Sequence, residues 1–249
     1  MNVETVAISS GRYRAETPWG PWQATFATLA VTLSSIAVSV ALAVGLKVIT
    51  AAGISEHDRA IAWAPMLGFQ TLMVLGAIWL ARWLGGEPRR VLALEPLRPA
   101  LSTALLTFLI LGATSFAYTM AIYLWQPEIV RADMATFAPM IRSSVWPIYA
   151  LIIIVGAPLS EELLFRGFLQ SALAKSRIGY LGASVVTTIA WGALHIQYSI
   201  YGLAEIFVVG FVLCWVLRRT GTLWATMLIH GLYNGAQFIG MMFRLFPWT

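Results

Sequence analysis

Read as intervals between charged residues, the chain alternates long apolar runs with short polar ones. A helix crosses about 30 Å of hydrocarbon with roughly 20 mainly apolar residues. Seven runs approach that length: 22–46, 60–81, 100–125, a fourth opening near Val145, 180–197, 200–217 and 222–243. The fourth stays uncharged as far as Ser160 and then meets Glu161, Glu162 and Arg166; the sixth holds Glu205 and the seventh His230. This pattern predicts an all-α, polytopic transmembrane helix bundle of about seven spans, with Pro-bearing and charged connections at 85–99 and 126–144. Residues 1–21 read as a cytoplasmic tail. Glu4, Arg12, Arg14 and Glu16 precede any apolar run, so the first span is expected to remain as an anchor, with Trp19 and Trp22 at the headgroup level.

Composition narrows the class further. Of the 249 residues 59% are hydrophobic and only 11% charged, against about 25% charged in soluble domains. So few charges cannot cover a water-exposed surface, which excludes ordinary soluble enzymes, nucleic-acid-binding modules and disulfide-stapled secreted domains. The single cysteine, Cys214, forms neither an intrachain disulfide nor a thiolate cluster. The net charge of +5 bears on orientation instead. Seven spans would put ten of the cations (Arg12, Arg14, Arg82, Arg89, Arg90, Arg98, Lys175, Arg177, Arg218, Arg219) on one side and five (Lys47, Arg59, Arg131, Arg142, Arg244) on the other. The richer side is expected to be cytoplasmic, with the amino terminus inside.

Ionisable groups within spans are costly and usually face a protein interior where they do something. Glu161, Glu162, Arg166, His195, Glu205 and His230 are of this kind. At about 1.5 Å per residue from the cytoplasmic ends, Glu161 lies about 21 Å deep, His195 about 22 Å, His230 about 12 Å and Asn234 about 18 Å, roughly one layer. A substrate reaching that layer from the cytoplasmic side fits those depths. Glu162 and Arg166 are four apart on one helical face and can pair, whereas Glu161 points about 100° away and is left for general acid/base work. His230 and Asn234, also four apart, present two polar groups able to hold an oxyanion. Glu205 either satisfies a polar group of another span or lines a cavity. His57, beside Glu56, Asp58 and Arg59, reads as a solvated loop residue, and Gly231 with Gly235 as a close helix contact.

The set Glu161-Glu162-x-x-x-Arg166, Trp191-x-x-x-His195 and His230-x-x-x-Asn234, in that order on successive apolar helices, resembles the CAAX prenyl protease 2/bacteriocin-processing (CPBP) family of intramembrane endopeptidases, which includes the Ras-converting endopeptidases. The resemblance covers roughly 144–243, so 22–143 are expected to be accessory helices and 144–249 a catalytic core. It implies that Glu161 and His195 activate a water and that His230 and Asn234 stabilise the oxyanion; Glu162 and Arg166 match the rest of the first motif, where their pairing suggests support of Glu161. The second motif usually begins with Phe; Trp191 stands there in this chain, in a packing role that could narrow the cleft.

Other intramembrane chemistries lack their residues. There is no His-Glu-x-x-His run for a zinc protease, the two aspartates Asp58 and Asp133 both lie in loops, and Ser184 lacks the closing glycine of a serine-nucleophile motif. A zinc site of Glu161, His195 and His230 stays conceivable, but the expectation is no cofactor or metal. The reading is thus an endopeptidase acting on a membrane-associated protein or peptide, lipid-modified or not, within a bacterial cytoplasmic membrane and without nucleic acid. The alternatives are a proton-coupled transporter or a noncatalytic immunity-type partner.

Overall fold

A computed structural model describes residues 13, 15–51 and 61–243. The charges of Glu4, Arg12, Arg14, Glu56, Asp58, Arg59 and Arg244, and His57, lie outside them. The described residues form helices and turns and contain no strand. Seven long helices follow the apolar runs: α1 Pro21–Ala51, α2 Ala64–Trp83, α3 Leu101–Trp125, α4 Trp146–Ala174, α5 Gly179–Gly192, α6 Ile200–Thr220 and α7 Leu223–Met242. Proline marks several starts (Pro21, Pro65, Pro147), where its missing N–H costs nothing. Gly221 ends α6 in the left-handed conformation, φ 73°.

Five of these helices are long and apolar enough to cross a membrane; α5 and α7 are not among them, so a count of about seven is not confirmed. The reasons are local. α5 has 14 residues and continues only through a tight turn, Ala193–His195. α7 has 20, but His230, Asn234 and Gln237 dilute its apolar content. The outward faces nonetheless suit lipid. Phe26, Leu29, Leu33, Leu106, Leu109 and Ile110 are all more than half exposed, an arrangement that hydrocarbon stabilises and water does not.

The bundle has two distinct ends. At one, Thr222 Oγ1 donates to the Glu95 carbonyl, Leu223 N to Ala93 O, Trp19 Nε1 to Phe168 O and Lys175 Nζ to Trp19 O. At the other, Asp133 accepts from Ser199 N at 2.8 Å and Ser199 Oγ at 2.6 Å. That bond ties the α5–α6 turn to a short helix, Pro127–Ala135, in the connection where the sequence suggested only loop.

α4 is the irregular member, and its sequence explains why. Pro158 has no N–H, and its ring would collide with the carbonyl four residues back, that of Ile154. The preceding turn, Ile152–Gly156, is widened to a π-helix, which moves those carbonyls outward. Each then meets a neighbour: Ile152 O accepts from Gln70 Nε2 at 3.1 Å, and Ile153 O from Asn234 Nδ2 at 3.0 Å. Ile154 O lies so close to Gly231 that a Cβ there would stand 2.6 Å from it. Gly235 also faces Ile154, so the glycine pair serves close packing of α7 on α4, as its spacing suggested. A second widened stretch, Glu162–Leu169, carries Glu162 and Arg166.

Candidate active site

Glu161 closes a regular helical turn, Ala157–Glu161, and Glu162 opens the second widened stretch. Both carboxylates reach the same imidazole. His230 Nδ1 is 3.0 Å from Glu162 Oε1, and its Nε2 is 3.8 Å from Glu161 Oε2. Since a carboxylate only accepts, Nδ1 carries the proton given to Glu162. Glu162 Oε1 also accepts from Arg166 Nη1 at 3.0 Å, with both side chains fully buried. The pairing read from the i, i+4 spacing is present, and the buried charge is compensated by two donors rather than one.

Glu161 is not free, as spacing alone suggested. Trp191 Nε1 donates a hydrogen bond to Glu161 Oε2. The face of the same indole carries the Arg166 guanidinium, 4.4 Å from the ring centroid, a cation–π contact inside a buried layer. Trp191 also packs edge-on against His230, and its carbonyl lies 3.2 Å from His195 Nδ1. His195 therefore donates from Nδ1 and keeps its Nε2 lone pair available. One side chain touches Glu161, Arg166 and His230, while its own carbonyl fixes the tautomer of His195. Sequence reasoning gave Trp191 only a packing role; the departure from Phe was the signal, because phenylalanine has no N–H.

Asn234 lies one turn beyond His230 and spends one amide N–H on Ile153 O. An oxyanion-stabilising role would fall to its second N–H. Among the described residues no three His, Cys, Asp or Glu side chains are grouped as metal ligands, so Glu161, His195 and His230 do not form a ready three-ligand set.

A cavity of about 600 Å³ is lined by Glu161, Trp191, His195, His230 and Asn234, while Glu162 and Arg166 lie behind its wall. Further out it meets Glu205, whose Oε1 accepts from Tyr233 Oη at 2.6 Å. Glu205 thus both satisfies a neighbouring span and lines the cavity. The other wall residues are mainly apolar, but Asp133 and Tyr198 stand at the rim. Burial first, and then the charges of Asp133, Glu161 and Glu205, push the Tyr198 phenol well above its usual range. No lining residue comes from 82–100, 162–190 or 210–229. The expected approach from the arginine-rich end is therefore not what the fold provides: Phe165, Phe168, Leu92, Leu217 and Leu223, all buried, fill that end.

Carboxylate and imidazole groups thus face one largely apolar cavity. The chain is similar to the UPF0177 protein YxdF of Lactococcus lactis subsp. lactis (strain IL1403), at 29% identity over 105 residues, 40% of this chain and 55% of that protein. It is also similar to an uncharacterized 24.3 kDa protein of Escherichia coli, at 36% identity over 97 residues, 37% of this chain and 42% of that one. The chain thus spans about half the length of the curated relatives it matches. No solved structure matches it. The family model of type II CAAX prenyl endopeptidases, Rce1-like, matches residues 143–236. That interval contains all three motifs and the helices that bring them around His230, and over it the chain is similar to the Rce1-like family.

Proposed function

We propose that this protein is an intramembrane endopeptidase that hydrolyses a peptide bond of a membrane-associated protein or peptide. The observation that carries the reading is the contrast between the two glutamates. Glu162 is sealed behind the wall with Arg166, whereas Glu161 faces the cavity beside His230 and Trp191. A carboxylate held in place by an indole N–H and open to water can take a proton from that water. The water oxygen then bonds to the scissile carbonyl carbon, and the proton passes to the departing amine nitrogen as the C–N bond breaks. His195, with its Nε2 lone pair free, orients the attacking water. The second amide N–H of Asn234 stabilises the negative oxygen, joined by the Nε2–H of His230 when that ring is doubly protonated, and Glu162 with Arg166 hold His230 in register. Residues 22–143 serve as accessory helices, and 144–249 as the catalytic core. The chemistry needs no metal, and the protein resides in a bacterial cytoplasmic membrane.

The test is proteolysis by purified protein in proteoliposomes, with a peptide library read by mass spectrometry. Glu161→Gln keeps the side-chain shape but cannot take the proton, so cleavage falls by at least about 100-fold with helix content intact, and the wild type keeps its activity in chelator. Near-normal turnover by Glu161→Gln removes Glu161 as the base. Transport or simple binding would leave no products that depend on Glu161.

A further inference from the structure

The position of the cavity in the bundle, set beside the distribution of cations, says from which side of the membrane the site is reached. Of the twelve described Lys and Arg residues, eight (Arg82, Arg89, Arg90, Arg98, Lys175, Arg177, Arg218, Arg219) lie at one end and three (Lys47, Arg131, Arg142) belong to the other; Arg166 is internal. Positive loops are retained in the cytoplasm during insertion. The eight-cation end is closed. Trp19, 1% exposed, stacks on Phe168 at 4.6 Å, and Leu92, Leu217 and Leu223 are completely buried around it. The cavity occupies the opposite half. Its walls come from the first halves of α2 and α6, the last parts of α3 and α7, the helix Pro127–Ala135 and the turn at 196–199. That turn is open to the surroundings, with Ile196 76% exposed.

We infer that the site is entered from the non-cytoplasmic face, so that its substrate is an extended polypeptide segment presented at the outer surface of the membrane, such as an exported peptide or the outward flank of a membrane protein. A carboxyl terminus lying in the cytoplasm is not its substrate. The inference rests on the proposed endopeptidase reading for the word substrate, and on geometry and charge alone for the side of access. Asp133 marks the threshold. Its two bonds to Ser199 hold Pro127–Ala135 against the turn, and Phe137 packs near Tyr198 at 6.3 Å between ring centroids. A chain approaching from outside meets this clasp first and the Glu161–Trp191–His230 group last.

The experiment separates side of access from activity. Gln197→Cys places a thiol at the mouth and Arg89→Cys one at the closed end, with the unaltered chain, whose Cys214 is buried, as background. Intact cells are treated with a membrane-impermeant maleimide, before and after permeabilisation. Gln197→Cys labels on intact cells and Arg89→Cys only after permeabilisation. Labelling of Gln197→Cys only after permeabilisation, or its failure to label at all, overturns the inference, as does labelling of Arg89→Cys on intact cells. In parallel, a soluble peptide library is added outside spheroplasts and, separately, outside inverted vesicles, each with wild type or Glu161→Gln. Products that depend on Glu161 form in spheroplasts. Their appearance in inverted vesicles alone overturns the side of access but keeps the endopeptidase reading; their absence from both preparations overturns the endopeptidase reading, while the labelling still decides the side.

Discussion

His230 makes the two adjacent glutamates into one unit, yet they face different surroundings. Glu162 has no exposure and Glu161 8%, and only Glu161 lines the cavity. Removing a charge from each has different consequences. Glu162→Gln leaves Arg166 buried without its counter-charge, which costs roughly 3–5 kcal/mol; the expected result is a marked loss of folded protein and of thermal stability in detergent. A stable but inactive Glu162→Gln protein would exchange the roles assigned to the two glutamates. Trp191→Phe keeps the aromatic face beneath Arg166 but removes the donor to Glu161. A hydrogen bond to a charged group is worth about 1.5–3 kcal/mol, so kcat should fall about tenfold or more, with KM little changed and the melting temperature close to wild type. Unchanged kcat would return Trp191 to a packing role.

At the scale of elements, α4 shows how a local defect becomes a contact surface. Pro158 requires the carbonyls ahead of it to turn outward, and Gln70 from α2, Asn234 from α7 and the bare backbone at Gly231 receive them. These contacts fix α7 against α4 at the height where His230 meets both glutamates. Gly231→Ala would drive a Cβ to 2.6 Å from Ile154 O, a clash with backbone that no rotamer relieves. Overpacking of this kind costs about 1–3 kcal/mol, and the shift of α7 should lower activity more than the stability loss explains. The check is activity per folded molecule, measured beside a thermal melt. A variant as active per folded molecule as wild type would show that this approach does not set the site.

Over the whole molecule, the segment ahead of α1 closes the end that the cavity does not use. Trp19 reaches across to Phe168 by a hydrogen bond of 3.2 Å and a stacked ring, and Lys175 donates to its carbonyl. Truncating so large a buried ring costs roughly 3–5 kcal/mol. Trp19→Ala should therefore lower the melting temperature in detergent, while KM stays as it is, because the cavity lies in the other half of the bundle. An unaltered melt would mean that this segment adds nothing to the core.

The sequence by itself determined the all-helical class, the order of the apolar runs, and the bounds of most long helices to within a few residues, because each depends on local hydrophobicity and on where Pro, Gly and charge interrupt it. It also determined the Glu162–Arg166 pair, which lies within one element, and the three motifs whose resemblance the family match over 143–236 supports. Tertiary structure alone decided the rest. That His230 bridges both glutamates is a contact across 68 positions, and that Trp191 holds Glu161 is one across 30. Such contacts depend on how each helix is rotated about its axis and how closely it approaches its neighbour. Counting at 3.6 residues per turn assigned Glu161 no partner because such counting sees one helix at a time, and the partners of Glu161, Trp191 and His230, stand on two others. The side on which the cavity opens was hidden for the same reason: depth along a helix follows from residue number, but which end of a bundle is filled follows only from packing.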